Sequence, residues 1–198
     1  MTADVDSFLA TRQPFSLLLG LGSRVVNPDG TLCIALLNAL ILHVGCTCIR
    51  QAAQHSLANS ASMEIYQRLL TELSAEGRYV VLNAMANQLR FPNNHTHHFS
   101  RVLLHLFVEL NDEYVQEHVT RVLVERLIVH RPHPWGLLVT FIELLKKPRY
   151  QLYASAVTCA RVAHLAPARF YISLCPFESC SVVIEQLGKT FHAMRTRN

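Results

Sequence analysis

RYVVLNAMANQLRFPNNHTHHFSRVLLHLFVEL, residues 78–110, decides the fold. Apolar side chains recur at helical spacing through residues 78–91, and Pro92, which lacks an amide proton and clashes with the preceding turn, forbids continuation. Asn93 or Asn94 can then cap a second helix, on which Phe99, Val102, Leu103, Leu106, Phe107 and Leu110 form one apolar stripe. Two amphipathic helices joined by so short a turn must lie side by side and antiparallel.

The same pattern extends in both directions. Upstream, Met63, Ile65, Tyr66, Leu69, Leu70 and Leu73 give one core-facing stripe, and Gly77 is expected to break that helix from the one beginning at 78. Further upstream the turn NPDG (27–30) precedes the apolar stretch LCIALLNALILHVGCTCI (32–49), and HSLANSAS (55–62) follows it as a polar loop. Downstream, Asn111-Asp112-Glu113 reads as an N-cap followed by an acidic first turn, opening a helix that runs through Ile128. HRPHPWG (130–136) is a rigid corner, and LLVTFIELLKK after it forms another helix, stopped by Pro148. No segment sustains the period-two alternation of a half-buried strand. The expected fold is therefore all-α, a HEAT-like or armadillo-like stack of antiparallel helices, although no exact repeat is visible.

Composition narrows the function classes. The 198 residues are 51% hydrophobic and 16% charged, with a mean hydropathy of +0.21. That is apolar against the roughly 25% charged content of soluble domains, so some apolar surface is expected to want a partner. A formal charge of +4 comes from 18 basic against 14 acidic residues, scattered rather than striped, which does not indicate a nucleic-acid footprint. Residues 1–20 lack a basic start ahead of an apolar stretch, so neither a secretory nor a transit signal is expected. The apolar stretch 32–49 approaches the minimum length of a membrane span, but Asn38 and His43 would be costly in lipid, and a buried helix of a stack explains it better.

Chemistry-bearing motifs fail one by one. The six cysteines contain no C-x-x-C pair and are expected to be free thiols; Cys46, Cys48, Cys175 and Cys180 have the wrong intervals for zinc. LGLGSRV (19–25) lacks the third glycine and the preceding strand of a phosphate loop. No nucleophile elbow or papain-like cysteine context is present. If residues 95–110 are helical, His98, Arg101, His105 and Glu109 share a flank turned away from most of the apolar stripe, and the Arg101 guanidinium argues against a bound cation there. His95 and His97, near the helix start, are expected to serve loop carbonyls or a partner. Trp135, the single tryptophan, can wedge between helices or anchor a partner peptide; core packing is the favoured expectation.

Two long strings carry a resemblance. EGRYVVLNAMANQLRFPNNHTHHFS (76–100) and TRVLVERLIVHRPHPWGLLVTFIELLKKP (120–148) resemble the C-terminal domain of the large Not-family scaffold subunit of the CCR–Not mRNA deadenylase complex, and FLATRQPF (8–15) and LLNALILHVG (36–45) look like the segment just upstream of it. The resemblance covers roughly residues 8–150. It implies a non-catalytic helical module without cofactor or metal, which docks the Not-box subunits (Not-two and Not-three or Not-five), receives peptides of RNA-binding repressors, and so supports mRNA deadenylation, decay and translational repression. It places the chain in the cytoplasm, with the nucleus as a second compartment, and away from membranes. The residues that match the family strings, and hence the candidate partner-binding positions, are Asn87, Gln88, Arg90, Pro92, His95, Thr96, His97, Arg131, Pro132, His133, Pro134, Trp135 and Gly136. Many of them are expected to stabilise helix corners, because a turn rich in proline, asparagine and histidine must satisfy its own backbone.

The expected organisation is a scaffold-domain part over 1–150, an atypical insert or loop over 151–175, whose core ASAVTCARVAHLAPARFYISLC (154–175) has no acidic residue and no recognised counterpart, and a C-terminal helix and tail over 176–198. Such a chain is expected to be a piece of a longer protein. Two other function classes stay open on the residues alone. One is direct RNA binding by a basic helical surface, given a pI near 8.8; the other is a metal-dependent hydrolase built on the histidines.

Overall fold

The computed structural model describes residues 2–51, 57–130 and 134–146. Over these the chain is a succession of helices, with a single isolated β-bridge between Val26 and Leu32 at the base of the NPDG turn. Gly30 takes the left-handed φ of 82° that this turn needs, and its amide closes on the Asn27 carbonyl at 2.9 Å.

Two helices, α1 (Thr2–Thr11) and the single-turn α2 (Leu21–Arg24), lead into α3 (Ile34–Gln51), α4 (Ala61–Glu72), α5 (Ala75–Asn87), α6 (Asn94–Glu109), α7 (Glu113–Val129) and α8 (Trp135–Lys146). Helix α5 packs against α3 on one side and α7 on the other, making one layer; α6 packs against α8, and this second layer closes on the first through α6 against α3 and α8 against α7. The all-α antiparallel stack is thus the fold of the described residues. One continuous core runs through it from Val5 and Phe8 to Phe141 and Leu144.

Side chains cap the helices where local chemistry requires it. Ser60, Ser74, Asn93 and Asp112 each accept a backbone amide of their helix's first turn, satisfying a donor that has no intrahelical partner. The stripe expected on α4 is buried in full, and that of α6 is buried except for the half-exposed Leu110.

Three local expectations need correction. Gly77 does not break a helix: the break falls at Leu73, in extended conformation, and Ser74, whose hydroxyl takes the Gly77 amide at 3.4 Å. Gly77 sits in the first turn of α5, where an added Cβ would lie 2.8 Å from the Leu73 Cβ, so close approach rather than flexibility explains it. At the next junction Asp112, not Asn111, is the cap; Asn111 takes the left-handed conformation that reverses the chain. Helix α3, the one described helix long and apolar enough to cross a membrane by length and composition, buries a single face (Leu37, Leu40, Ile41, Val44, Gly45 and Thr47), and its first turn is exposed.

Polar ties are few and specific. Tyr66, fully buried, donates its hydroxyl to the Ile41 carbonyl at 3.2 Å, and burial pushes its pKa well up. Glu125 on α7 accepts the Tyr79 hydroxyl of α5 and the Arg121 Nε, each at 2.8 Å, clamping the middle of the first layer.

Candidate functional site

The matched residues that the structure describes meet at one end of the stack, where α5 and α7 end and α6 and α8 begin. Gln88 caps α5, Leu89 turns inward and is fully buried, and Arg90, Phe91 and Pro92 stand out in solvent. The return is tied by Thr96, only 3% exposed. Its amide donates to the Asn93 side chain at 2.9 Å, and its hydroxyl proton lies between the Gln88 carbonyl, at 2.9 Å, and that of Phe91. One threonine thereby satisfies two carbonyls that the end of α5 leaves open.

Helix α8 closes onto this turn through Gly136. An added Cβ there would overlap the Thr96 methyl and lie 2.5 Å from the Leu89 carbonyl oxygen, so no larger residue fits without moving backbone. Four residues on, the Thr140 hydroxyl, fully buried, bonds the Gly136 carbonyl at 2.7 Å and the Ser100 hydroxyl at 2.8 Å, locking α8 to α6. Gly136 thus fills the space expected of its neighbour. Trp135 is not in the core but 58% exposed, because the glycine's tight seat turns the preceding residue outward.

Around this corner apolar and cationic groups stand together in solvent. Phe91 is 69% and Val129 73% exposed, both higher than Trp135. Beside them Arg126 on α7 donates its Nε to the Asn83 side chain at 2.7 Å and sets Nη1 3.4 Å from the His130 Nε2. Burial lowers the pKa of both Arg126 and His130, and the nearby Arg90 guanidinium lowers both further. The C-terminal end of α7 offers its carbonyl dipoles to the guanidiniums. Among the described residues none of the three has a carboxylate ion pair.

The histidines divide. His97 is exposed, and His95 is half-buried with an enclosed Nδ1 that meets no hydrogen-bond partner among the described residues. His98, expected on an outward flank, is instead half-buried, its Nε2 enclosed without a hydrogen bond among the described residues; burial first, then the charge of Arg101, lowers its pKa to about 4. His105 keeps to the flank, 4.0 Å from Glu109. No group of three potential metal ligands occurs among the described residues.

Asn87, Arg90, Pro92, His97 and Trp135 therefore lie exposed, Gln88, His95 and Pro134 half-buried, and Thr96 and Gly136 buried. Arg131, Pro132 and His133 lie outside the described residues. Phe91, Arg126, Val129 and His130 belong to the same surface and were absent from the matched set. Phe91 had a local signal, a large aromatic directly before a helix-ending proline; the other three are brought in only by the parallel packing of α5 and α7, which finish at the same end of the stack.

The opposite end of α5 has a different character. A groove of about 870 Å³ lies between the 19–34 segment and the α4–α5 corner, bordered by Leu19, Val26, Ile34, Glu72 and Glu76. Its wall is held by the Glu72 carboxylate, which accepts the Gly22 amide at 2.9 Å. The glycine-rich turn that superficially resembles a phosphate loop thus spends this amide on the protein's own carboxylate.

A helical stack with a surface of exposed aromatics and cations, and no triad of metal ligands among its described residues, defines the class of an α-helical interaction module. The family model described as "CCR4-Not complex component, Not1" matches residues 21–164, and the chain belongs to the Not1 family. It is 42% identical over 167 residues, 79% of its length, to the CCR4-NOT transcription complex subunit let-711 of Caenorhabditis elegans. It is 40% identical over 108 residues to the general negative regulator of transcription subunit 1 of Schizosaccharomyces pombe. These matches span only 6% and 5% of the two relatives. Among solved structures, a Not1 C-terminal domain in complex with Not4 superposes with a TM-score of 0.61 at 32% identity, covering 71% of this chain and 32% of that one. The NOT1 superfamily homology domain from Chaetomium thermophilum gives 0.58 at 27% identity, covering 84% and 39%.

Proposed function

We propose that this chain is a non-catalytic docking module of the CCR4-Not scaffold, which binds Not-box subunits and peptides of RNA-binding repressors and so supports mRNA deadenylation, decay and translational repression. The observation that carries this is the matched set itself. The residues shared with the family strings build one rigid corner, braced by Thr96, Gly136 and Thr140, and leave large apolar side chains standing outside it. Exposed aromatics beside arginine are the composition of interface hot spots. A solved Not1 C-terminal domain holds Not4, which supports a subunit partner for this chain as well. Its place of work, on this reading, is the cytoplasm, with a nuclear pool.

Co-expression with the Not-box regions of the two expected partner subunits, scored by size-exclusion chromatography, tests the proposal. A stoichiometric complex is the expected result. A folded, soluble chain that elutes apart from both partners would sink it. Tight, steeply salt-dependent binding of RNA by that same chain would instead favour the basic-surface alternative.

A further inference from the structure

The docking reading leaves open what chemistry the corner selects. Three apolar groups, Phe91, Val129 and Trp135, stand exposed at the end of the stack where α5 and α7 finish and α8 starts. Backbone geometry ties two of them together, and Val129 directly precedes His130 at the end of α7. The Phe91 carbonyl is held by Thr96, whose methyl lies against Gly136, the residue after Trp135. Interleaved with them are Arg90, exposed, and the Arg126–His130 pair. Three nearby carboxylates are placed elsewhere: Glu125 on α7 is taken by Tyr79 and Arg121, and Glu76 on α5 and Glu72 on α4 border the groove at the other end of α5.

We propose that this corner docks an acidic peptide segment carrying apolar anchors, with Phe91, Val129 and Trp135 receiving the anchors and Arg90, beside Arg126 and His130, facing its carboxylates. The proposal rests on the docking reading above and gives its partner a sign of charge. A basic segment would meet two guanidiniums, Arg90 and Arg126, with no carboxylate ion pair among the described residues, and like-charge contact at an interface is costly. RNA would also meet the charge. However, two guanidiniums at one corner offer few phosphate contacts, whereas two aromatics and a valine offer desolvated anchor area.

Trp135 is the only tryptophan of the chain, so its fluorescence reports on this surface directly. The probes are a capped peptide of glutamates interspersed with leucine and phenylalanine, its twin with lysine at every glutamate, and an oligouridine. The full 198-residue chain should show a saturable change in Trp135 emission with the acidic peptide. Affinity should fall about tenfold or more in Arg90→Glu, a reversal of charge at the rim, and in Phe91→Ala, with circular dichroism unchanged in both. An unaltered emission, equal binding of the lysine twin, or tighter binding of the oligouridine would each overturn the assignment. Not-box partners that co-elute equally with wild type and with Arg90→Glu/Phe91→Ala would overturn it too while leaving the docking reading intact. Partners that co-elute with neither would sink the docking reading, and the peptide titration would still decide the corner.

Discussion

The two ends of α5 make opposite surfaces from one straight helix. At its start, Glu72 and Glu76 border a groove whose wall includes the flexible Glu72 side chain, held to Gly22 by one hydrogen bond. At its end, buried hydroxyls and a glycine lock the backbone, and the exposed groups are aromatic and cationic. What differs is where the rigidity lies. At Gly22 the acidic end is met by a side chain, that of Glu72, whereas at Gly136 the basic end brings main chain into direct contact with main chain.

Substituting the two tightly seated glycines tests that contrast most severely. Gly136→Ala forces a Cβ onto the Leu89 carbonyl and the Thr96 methyl, and is expected to cost about 2–3 kcal/mol, as overpacking against unyielding atoms does. Gly22→Ala meets the Glu72 Cβ and carboxylate oxygen at 3.0 Å, a looser approach than the contacts at Gly136, and should cost about 1 kcal/mol or less. Urea midpoints that fall equally for both would erase the distinction between the ends.

Next comes the buried hydroxyl. Thr96→Val keeps shape and removes the donor shared by the Gln88 and Phe91 carbonyls, for an expected loss of about 1–3 kcal/mol at unchanged m-value. A loss below the error of the midpoint would mean that water replaces the hydroxyl without cost.

Acid should weaken the basic end first. The His98 pKa is lowered to about 4 by burial, against an ordinary 6.5, so the unfolded chain binds the proton that the folded one refuses. Its contribution is therefore complete above pH 6.5 and is lost as the pH falls toward 4. Replacing His98 with Gln should flatten that limb of the stability profile by about 1–2 kcal/mol, allowing for partial solvent screening. An unchanged profile would place the acid sensitivity elsewhere.

Smallest of all should be the effect of removing the exposed aromatics. Trp135→Ala and Phe91→Ala are expected to leave stability within about 0.5 kcal/mol, since neither fills core. Wild-type Trp135 should emit like indole in water. A blue-shifted emission or a large loss of stability would return Trp135 to the core.

The sequence legibly marked this corner and misjudged its parts. Proline 92, the asparagine cap and the stripe on α6 were local signals, and local chemistry decided them. The seat at residues 135 and 136 was inverted, because size favours burying tryptophan, while the contact that won was glycine against the Leu89 carbonyl, 47 residues upstream. Likewise Gly77, read as a stop, is a point of close approach in the first turn of α5.

Periodicity, caps and breakers depend on neighbours within one turn of helix, so the sequence by itself determined that the chain is a succession of amphipathic helices, where most of them begin, and which faces are apolar. Only the tertiary structure decided that Arg90 stands beside Arg126 and His130, that Phe91, Val129 and Trp135 all stand exposed where α5 and α7 finish and α8 starts, and that the His98 Nε2 is enclosed with no hydrogen-bond partner among the described residues. Those facts depend on which helix ends are brought together and how closely backbones approach, and contacts between residues dozens of positions apart leave no period in the chain.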